Sequence, residues 1–139
     1  MLVSVTRLHV RRWWYLPLFA FHTQRSASQV RGSSGFLGGR FATEPIFGFW
    51  TITVWAGDQA MRNFRNTAAH LKAMPKLLNW CDEASYVHWR QEDSDIPSVP
   101  EVFKRMREDG KLSKVRHPSA AHAAGRTAAD KEPKGAGLI

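Results

Sequence analysis

The chain has 139 residues, 43% of them hydrophobic, with six Trp and eight Phe, which is enough for one packed core in one domain. Its single cysteine, Cys81, excludes an intramolecular disulfide and a thiolate metal cluster within one chain, and fits a reducing, cytoplasmic setting. A net charge of +8 invites a nucleic-acid reading, but residues 1–89 hold ten Lys and Arg against four acids, with the arginines scattered rather than striped. No known binding motif accompanies that charge, so no nucleic-acid partner is expected.

Arg11-Arg12 followed by Trp13 to Phe21 mimics a short signal core, and residues 1–43 contain no acid. The apolar run is interrupted by Pro17 and falls well short of the roughly 20 residues a membrane span needs. The segment therefore reads as a mature first strand and helix.

Leu2 to Val10 is rich in β-branched and apolar residues and predicts strand one. Trp13 to Val30 predicts a helix whose proper start lies near Pro17, stopped by Gly32-Ser33-Ser34-Gly35. Phe36 to Thr43 is a weaker strand, with a bulge or an edge suggested by Gly38-Gly39.

Ile46 to Trp55 is the clearest strand. One face carries Phe47, Phe49, Thr51, Thr53 and Trp55, and the other Ile46, Gly48, Trp50, Ile52 and Val54. Both are largely apolar, so both must be covered. Helices on one side leave the second face to a partner subunit, a ligand or the C-terminal segment. Asp58 is the expected N-cap of a helix whose apolar stripe is Met61, Phe64, Ala68 and Leu71, with Arg62 and Arg65 on the solvated side. Pro75 breaks it, Lys76 to Trp80 forms a second piece, and Ala84 to Arg90 is strand four.

The order β-α-β-β-α-β predicts an α+β, ferredoxin-like fold over residues 1–92, with strands one and three central. Residues 93–118 read as a linker and a short docking helix, opened by Ser98 and closed by Gly110, with Val102, Phe103 and Met106 on its apolar face. Residues 119–139, dominated by Ala, Gly, Lys and Pro, are expected to be a disordered tail.

Three stretches carry a family likeness: Gly35-Phe36-Leu37-Gly38-Gly39-Arg40, then Phe49 to Trp55, then Ala68-Ala69-His70 running on to Asn79 to Tyr86. Together they resemble the spheroidene-monooxygenase-like family, within the wider set of antibiotic-biosynthesis-monooxygenase-like dimeric α+β barrels. The resemblance implies a homodimer with sheets packed face to face, and a pocket between helices and sheet for an apolar ligand or, in some branches, haem. No flavin or nicotinamide fingerprint is present, since Gly32, Gly35, Gly38 and Gly39 lie in the wrong frame and context.

Three histidines are candidate catalytic residues. His70 could ligate iron or shuttle a proton, yet helix phase turns it about 140° from the stripe centre, toward a surface role. His9 and His88 sit on strands one and four, adjacent in this topology, and could face one pocket or be hydrogen-bonded sheet residues. Trp50, Trp55, Phe49 and Trp80 are candidate cavity walls whose alternative is core packing. Arg40 is a candidate for holding a substrate carboxylate, against a solvated surface charge. No protein metal site is expected. Two functions follow: a monooxygenase-like enzyme acting on an apolar or aromatic small molecule, or a non-catalytic homodimeric module binding an apolar ligand, haem or a protein.

Overall fold

The computed structural model describes residues 1–66 and 75–139. Strand β1 (Leu2–Val10) runs through a 3₁₀ turn at Trp13–Tyr15 into helix α1 (Leu16–Arg31). A hairpin of β2 (Phe36–Glu44) and β3 (Gly48–Trp55) follows, then α2 (Asp58–Arg65), α3 (residues 75–80) and β4 (Cys81–Arg90). The chain continues through α4 (Val99–Asp109), the short β5 (Lys111–Leu112), one turn of α5 (Ala120–Ala123) and β6 (Lys134–Leu138).

These strands form one antiparallel sheet in the order β5-β4-β1-β3-β2-β6. Its inner four strands have the ferredoxin-like order, with β1 and β3 central, as the apolar pattern of β3 demands. Gly38 takes up the register shift in β2 that the paired glycines forecast. Gly35 turns α1 into β2 with φ +84°, and an added Cβ there would stand 2.5 Å from that of Ala60 on α2. Only glycine meets both the backbone and the space at this corner.

Helices α1 and α2 lie on one face. There Leu2, Val30, Trp55 and Met61 form one buried cluster, and Val10, Phe19, Trp80 and Cys81 another. Asp58 differs from its expected capping role: Gly57 is the N-cap, and the Asp58 carboxylate accepts from Arg90 at 2.8 Å.

The other face is the larger core. Val3, Val5, Trp50, Ile52, Val54, Val87 and Trp89 pack against Val102 and Met106 of α4, which are both fully buried. The Ser98 hydroxyl accepts the Glu101 N–H and sets the start of α4. Of the three coverings the sequence left open, the C-terminal segment supplies this one. A face-to-face dimer of sheets would have to displace α4, so the pattern of β3 no longer calls for a partner subunit.

The expected disordered tail is replaced by structure. Thr127 donates its hydroxyl to the Met106 carbonyl at 2.7 Å, its own carbonyl accepts from Ser85 at 2.6 Å, and β6 pairs with β2 at the sheet edge. Composition signals little burial here, and few of these side chains are buried; backbone and hydroxyl bonds hold the segment instead. No helix among the described residues is long and apolar enough to cross a membrane.

Met106→Ala is expected to cost about 2–5 kcal/mol, because the cavity it leaves is closed between α4 and the sheet. Urea unfolding checks this, with a shift below 1 kcal/mol meaning that α4 is not part of the core.

Candidate functional site

A cavity of about 490 Å³ lies between the helices and the sheet. Its position follows from the side-chain alternation of the central strands. Where the α4 face carries Val3, Val5, Ile52 and Val54, the helix face carries Ser4, Thr6, Thr51 and Thr53. These short hydroxyl side chains leave space under the helices that branched aliphatics would fill. Phe19, Phe41, Trp55 and Phe64 supply aromatic walls, and Tyr86, His88, His22 and Arg65 add polar groups.

The floor is partly fixed by internal bonds. Thr53 donates its hydroxyl to the Ser4 carbonyl at 3.2 Å and accepts the Trp55 indole N–H at 2.9 Å. That pair holds the Trp55 ring, which also contacts Phe36 and stacks on Phe64.

Two histidines reach the cavity from opposite sides. His22, on α1, lies against Trp80 with ring centroids 5.3 Å apart. Burial and then the charges of Lys76 and Arg25 lower its pKa. His88 stands at the open side on β4, beside Tyr86 at 5.5 Å. Partial burial lowers its pKa, Arg65 adds to this, and the Asp58 carboxylate opposes it. Both imidazoles are therefore neutral at pH 7 and able to accept a proton.

His9 does not share this cavity. Its alternation places it with Arg7 on the α4 face, where its Nδ1 lies 2.6 Å from an Asp82 carboxylate oxygen. Trp50 also faces α4, is buried beside Phe103 and donates its indole N–H to Glu44 at 2.9 Å. Arg40 pairs with Leu138 in the sheet on that same side. All three were cavity candidates, and strand parity separates them from it. Trp55 lines the cavity; Phe49 and Trp80 support its end by packing on Phe19 and His22. His70 lies outside the described residues.

Sequence reasoning missed His22 and Tyr86 as cavity residues. The signal for His22 was available: it lies three residues after Phe19 on the inward side of α1. Arg65 is exposed, as expected for the solvated side of α2, and also reaches the cavity rim.

On the α4 face, Arg7 is 2% exposed and binds two carboxylates. Its Nε and Nη2 donate to the two Glu44 oxygens at 2.7 and 3.0 Å, and its Nη1 to Glu83 at 2.8 Å. Ser119 completes Glu83 at 3.0 Å. His9, Asp82 and Glu83 bring ligand-type atoms within 4.8 Å of one another. The His9 Nδ1–Asp82 contact and both Glu83 oxygens have internal partners, so this cluster ties β1, β4 and the C-terminal segment together.

No family model matches the sequence, and no curated protein matches it. Solved structures do. An antibiotic biosynthesis monooxygenase aligns with TM-score 0.60 at 11% identity, over 67% of this chain and 100% of that one. The fold is that of the antibiotic biosynthesis monooxygenases. SnoaB, a cofactor-independent oxygenase from Streptomyces nogalater, aligns with TM-score 0.56 at 17% identity over 70% and 97% of the two chains. A conserved protein from Methanosarcina mazei Go1 gives 0.59 at 12% over 66% and 92%. The likeness covers the wider fold; the narrower spheroidene-monooxygenase resemblance rests on the sequence motifs.

Arg7→Ala is expected to cost about 3–5 kcal/mol by leaving two buried carboxylates without their cation. Burial alone would raise the Glu83 pKa, but hydrogen bonding and charge from Arg7 outweigh it and hold the group below its ordinary value. A depressed carboxylate stabilises the fold above its unfolded pKa of about 4.3, and that contribution is lost as pH falls through the native value. Urea midpoints should therefore drop from pH 6 to pH 3, and less steeply in Glu83→Gln. Parallel curves for the two proteins would remove Glu83 as a source of acid lability.

Proposed function

We propose that the chain is a small oxygenase acting on an apolar, aromatic molecule held between the helices and the sheet. The observation that carries this reading is the cavity itself: aromatic walls, a hydroxyl floor, and two neutral histidines placed to take a proton. The volume of this half-open cavity suits a small polycyclic phenol or ketone.

His88 is the proposed general base, because Tyr86 and Arg65 stand beside it. It accepts a proton from a C–H or O–H acidified by the substrate's own conjugation. The resulting anion transfers electrons to dioxygen and is stabilised by Arg65. Conversion of a ring CH₂ to C=O uses one O₂ and releases one water, and the substrate supplies all four electrons. No external reductant is needed. SnoaB, a cofactor-independent oxygenase, has a similar fold, which supports this chemistry for the chain.

Haem binding is the second reading, resting on the same neutral imidazoles. His22 or His88 would hold the iron and Arg65 would hold a propionate. Bound there, haem would supply oxygen activation that the side chains lack. Because α4 covers the sheet face that a face-to-face homodimer would use, either function is proposed for the single chain.

Oxygen uptake with anthrone-type substrates tests the first reading. His88→Ala should lower kcat at least about 100-fold, the usual contribution of a positioned base, with substrate affinity little changed. The rising limb of the parent's pH profile should lie below the ordinary histidine value of about 6.5, because the base is active only when deprotonated. Saturable substrate binding without oxygen uptake would favour a non-catalytic ligand carrier. A Soret band gained with haemin and lost in His22→Ala or His88→Ala would favour haem.

A further inference from the structure

Helix α1 has two apolar faces, and only one is used by the fold. Phe19, Ala27 and Val30 turn inward, where they are buried. Trp14, Leu18, Phe21 and Arg25 follow one another at +4, +3 and +4, which places them along a single outward stripe. Trp14, Leu18 and Phe21 are 51%, 51% and 56% exposed, and neighbouring Trp13 is 67% exposed. Leaving four large apolar side chains in water on one short stretch is a cost that the core does not recover.

The cations around them are positioned too. The Arg12 guanidinium lies 6.0 Å from the Trp14 ring centre, and that of Arg25 lies 5.7 Å from Phe21. Arg11 sits over Tyr15 at 5.3 Å. The first acid in the sequence is Glu44, and its carboxylate is occupied by Arg7 on the far face of the sheet. The stripe is therefore aromatic at its centre and cationic at its edges, with no carboxylate of its own segment to neutralise it.

We propose that the outer face of α1 docks on an anionic lipid surface, lying in the plane of the headgroups. Trp and Phe with flanking Arg is the composition that membrane interfaces favour, since the rings enter the headgroup boundary while the guanidinium groups meet lipid phosphates. The occupant is a bilayer rather than a second copy of the chain. A two-fold dimer through this stripe would set its flanking cations, Arg12 and Arg25, against those of its own image. It is also a convex helix ridge rather than a groove tracking a nucleic-acid backbone. The inference concerns the outside of α1 and stands whether or not the cavity behind it is catalytic.

Co-sedimentation of the full chain with phosphatidylglycerol-rich and pure phosphatidylcholine vesicles tests it. Binding is expected to the anionic vesicles, at least tenfold weaker to the neutral ones, and reduced by 0.5 M salt. Arg12→Glu with Arg25→Glu should weaken it about 30-fold or more, at roughly fivefold per cation removed. Trp14→Ser with Phe21→Ser should weaken it at least tenfold, with circular dichroism unchanged because both side chains are exposed. In the unmutated protein, brominated lipid should quench tryptophan fluorescence, a readout independent of how the variants fold. The proposal is overturned by protein left in the supernatant at low salt, by absent quenching, or by both well-folded double variants binding like the parent. It is also overturned by a dimer that the aromatic double variant dissolves, or by tighter binding to an oligonucleotide than to vesicles.

Discussion

The structure depends on one constraint: strand β3 is apolar on both sides, so its sheet is stable only when both sides are covered. Helices α1 and α2 take one side because the β-α-β-β-α-β order leaves them no other place. The other side presents Trp50, Ile52 and Val54 beside Val3, Val5 and Val87, and α4 closes it with Val102 and Met106. Burying one Val or Met side chain contributes about 1.5–3 kcal/mol, so these two residues outweigh the ordering of a short, well-capped helix only because the whole apolar face receives them. The residues after α4 add polar bonds, with Val115, Ala128 and Ile139 packed at the margins of the apolar clusters. They anchor at Ser85, Met106 and Gly39, through Thr127 and Ile139.

Burying that face also fixes the charge arrangement. Arg7 lies on the covered side of β1 and has no route to water, so it needs two carboxylates. Glu44 comes from the end of β2 and Glu83 from β4; Trp50 donates a second bond to the Glu44 Oε2 that Arg7 Nε holds, and Ser119 takes the free Glu83 oxygen. Four strands and the C-terminal segment thus meet at one cation. An apolar residue at position 7 would pack as well or better; what the ionic cluster adds is a register that a slipped strand could not satisfy.

The fold was legible in the sequence because it is written in periodicity. Alternation fixed β1 and β3, glycines fixed the corners, and two apolar faces on β3 announced a covering. The site was legible only in part. A cavity arises where side chains are small, and Ser4, Thr6, Thr51 and Thr53 read in sequence as ordinary strand residues. Large aromatic residues attract attention instead, and strand parity decides which of them face a cavity: Trp55 does, while Trp50, five residues away, faces α4. The same parity divides His9 from His88, although their strands are neighbours. The ends of the C-terminal segment were illegible because their order comes from main-chain and hydroxyl bonds, which composition does not encode.

The two sides of the sheet therefore separate two kinds of histidine chemistry. On the covered side, His9 meets the Asp82 carboxylate beside the Arg7–Glu83 pair. On the cavity side, His22 and His88 meet cations and partial desolvation, and both are pushed toward the neutral form. The second environment keeps a proton acceptor available at neutral pH. That placement requires the helix face to remain incompletely filled, which the hydroxyl floor allows only because the opposite face is packed enough to hold the sheet. Stability is concentrated on one side of β3 so that the other can keep an open volume.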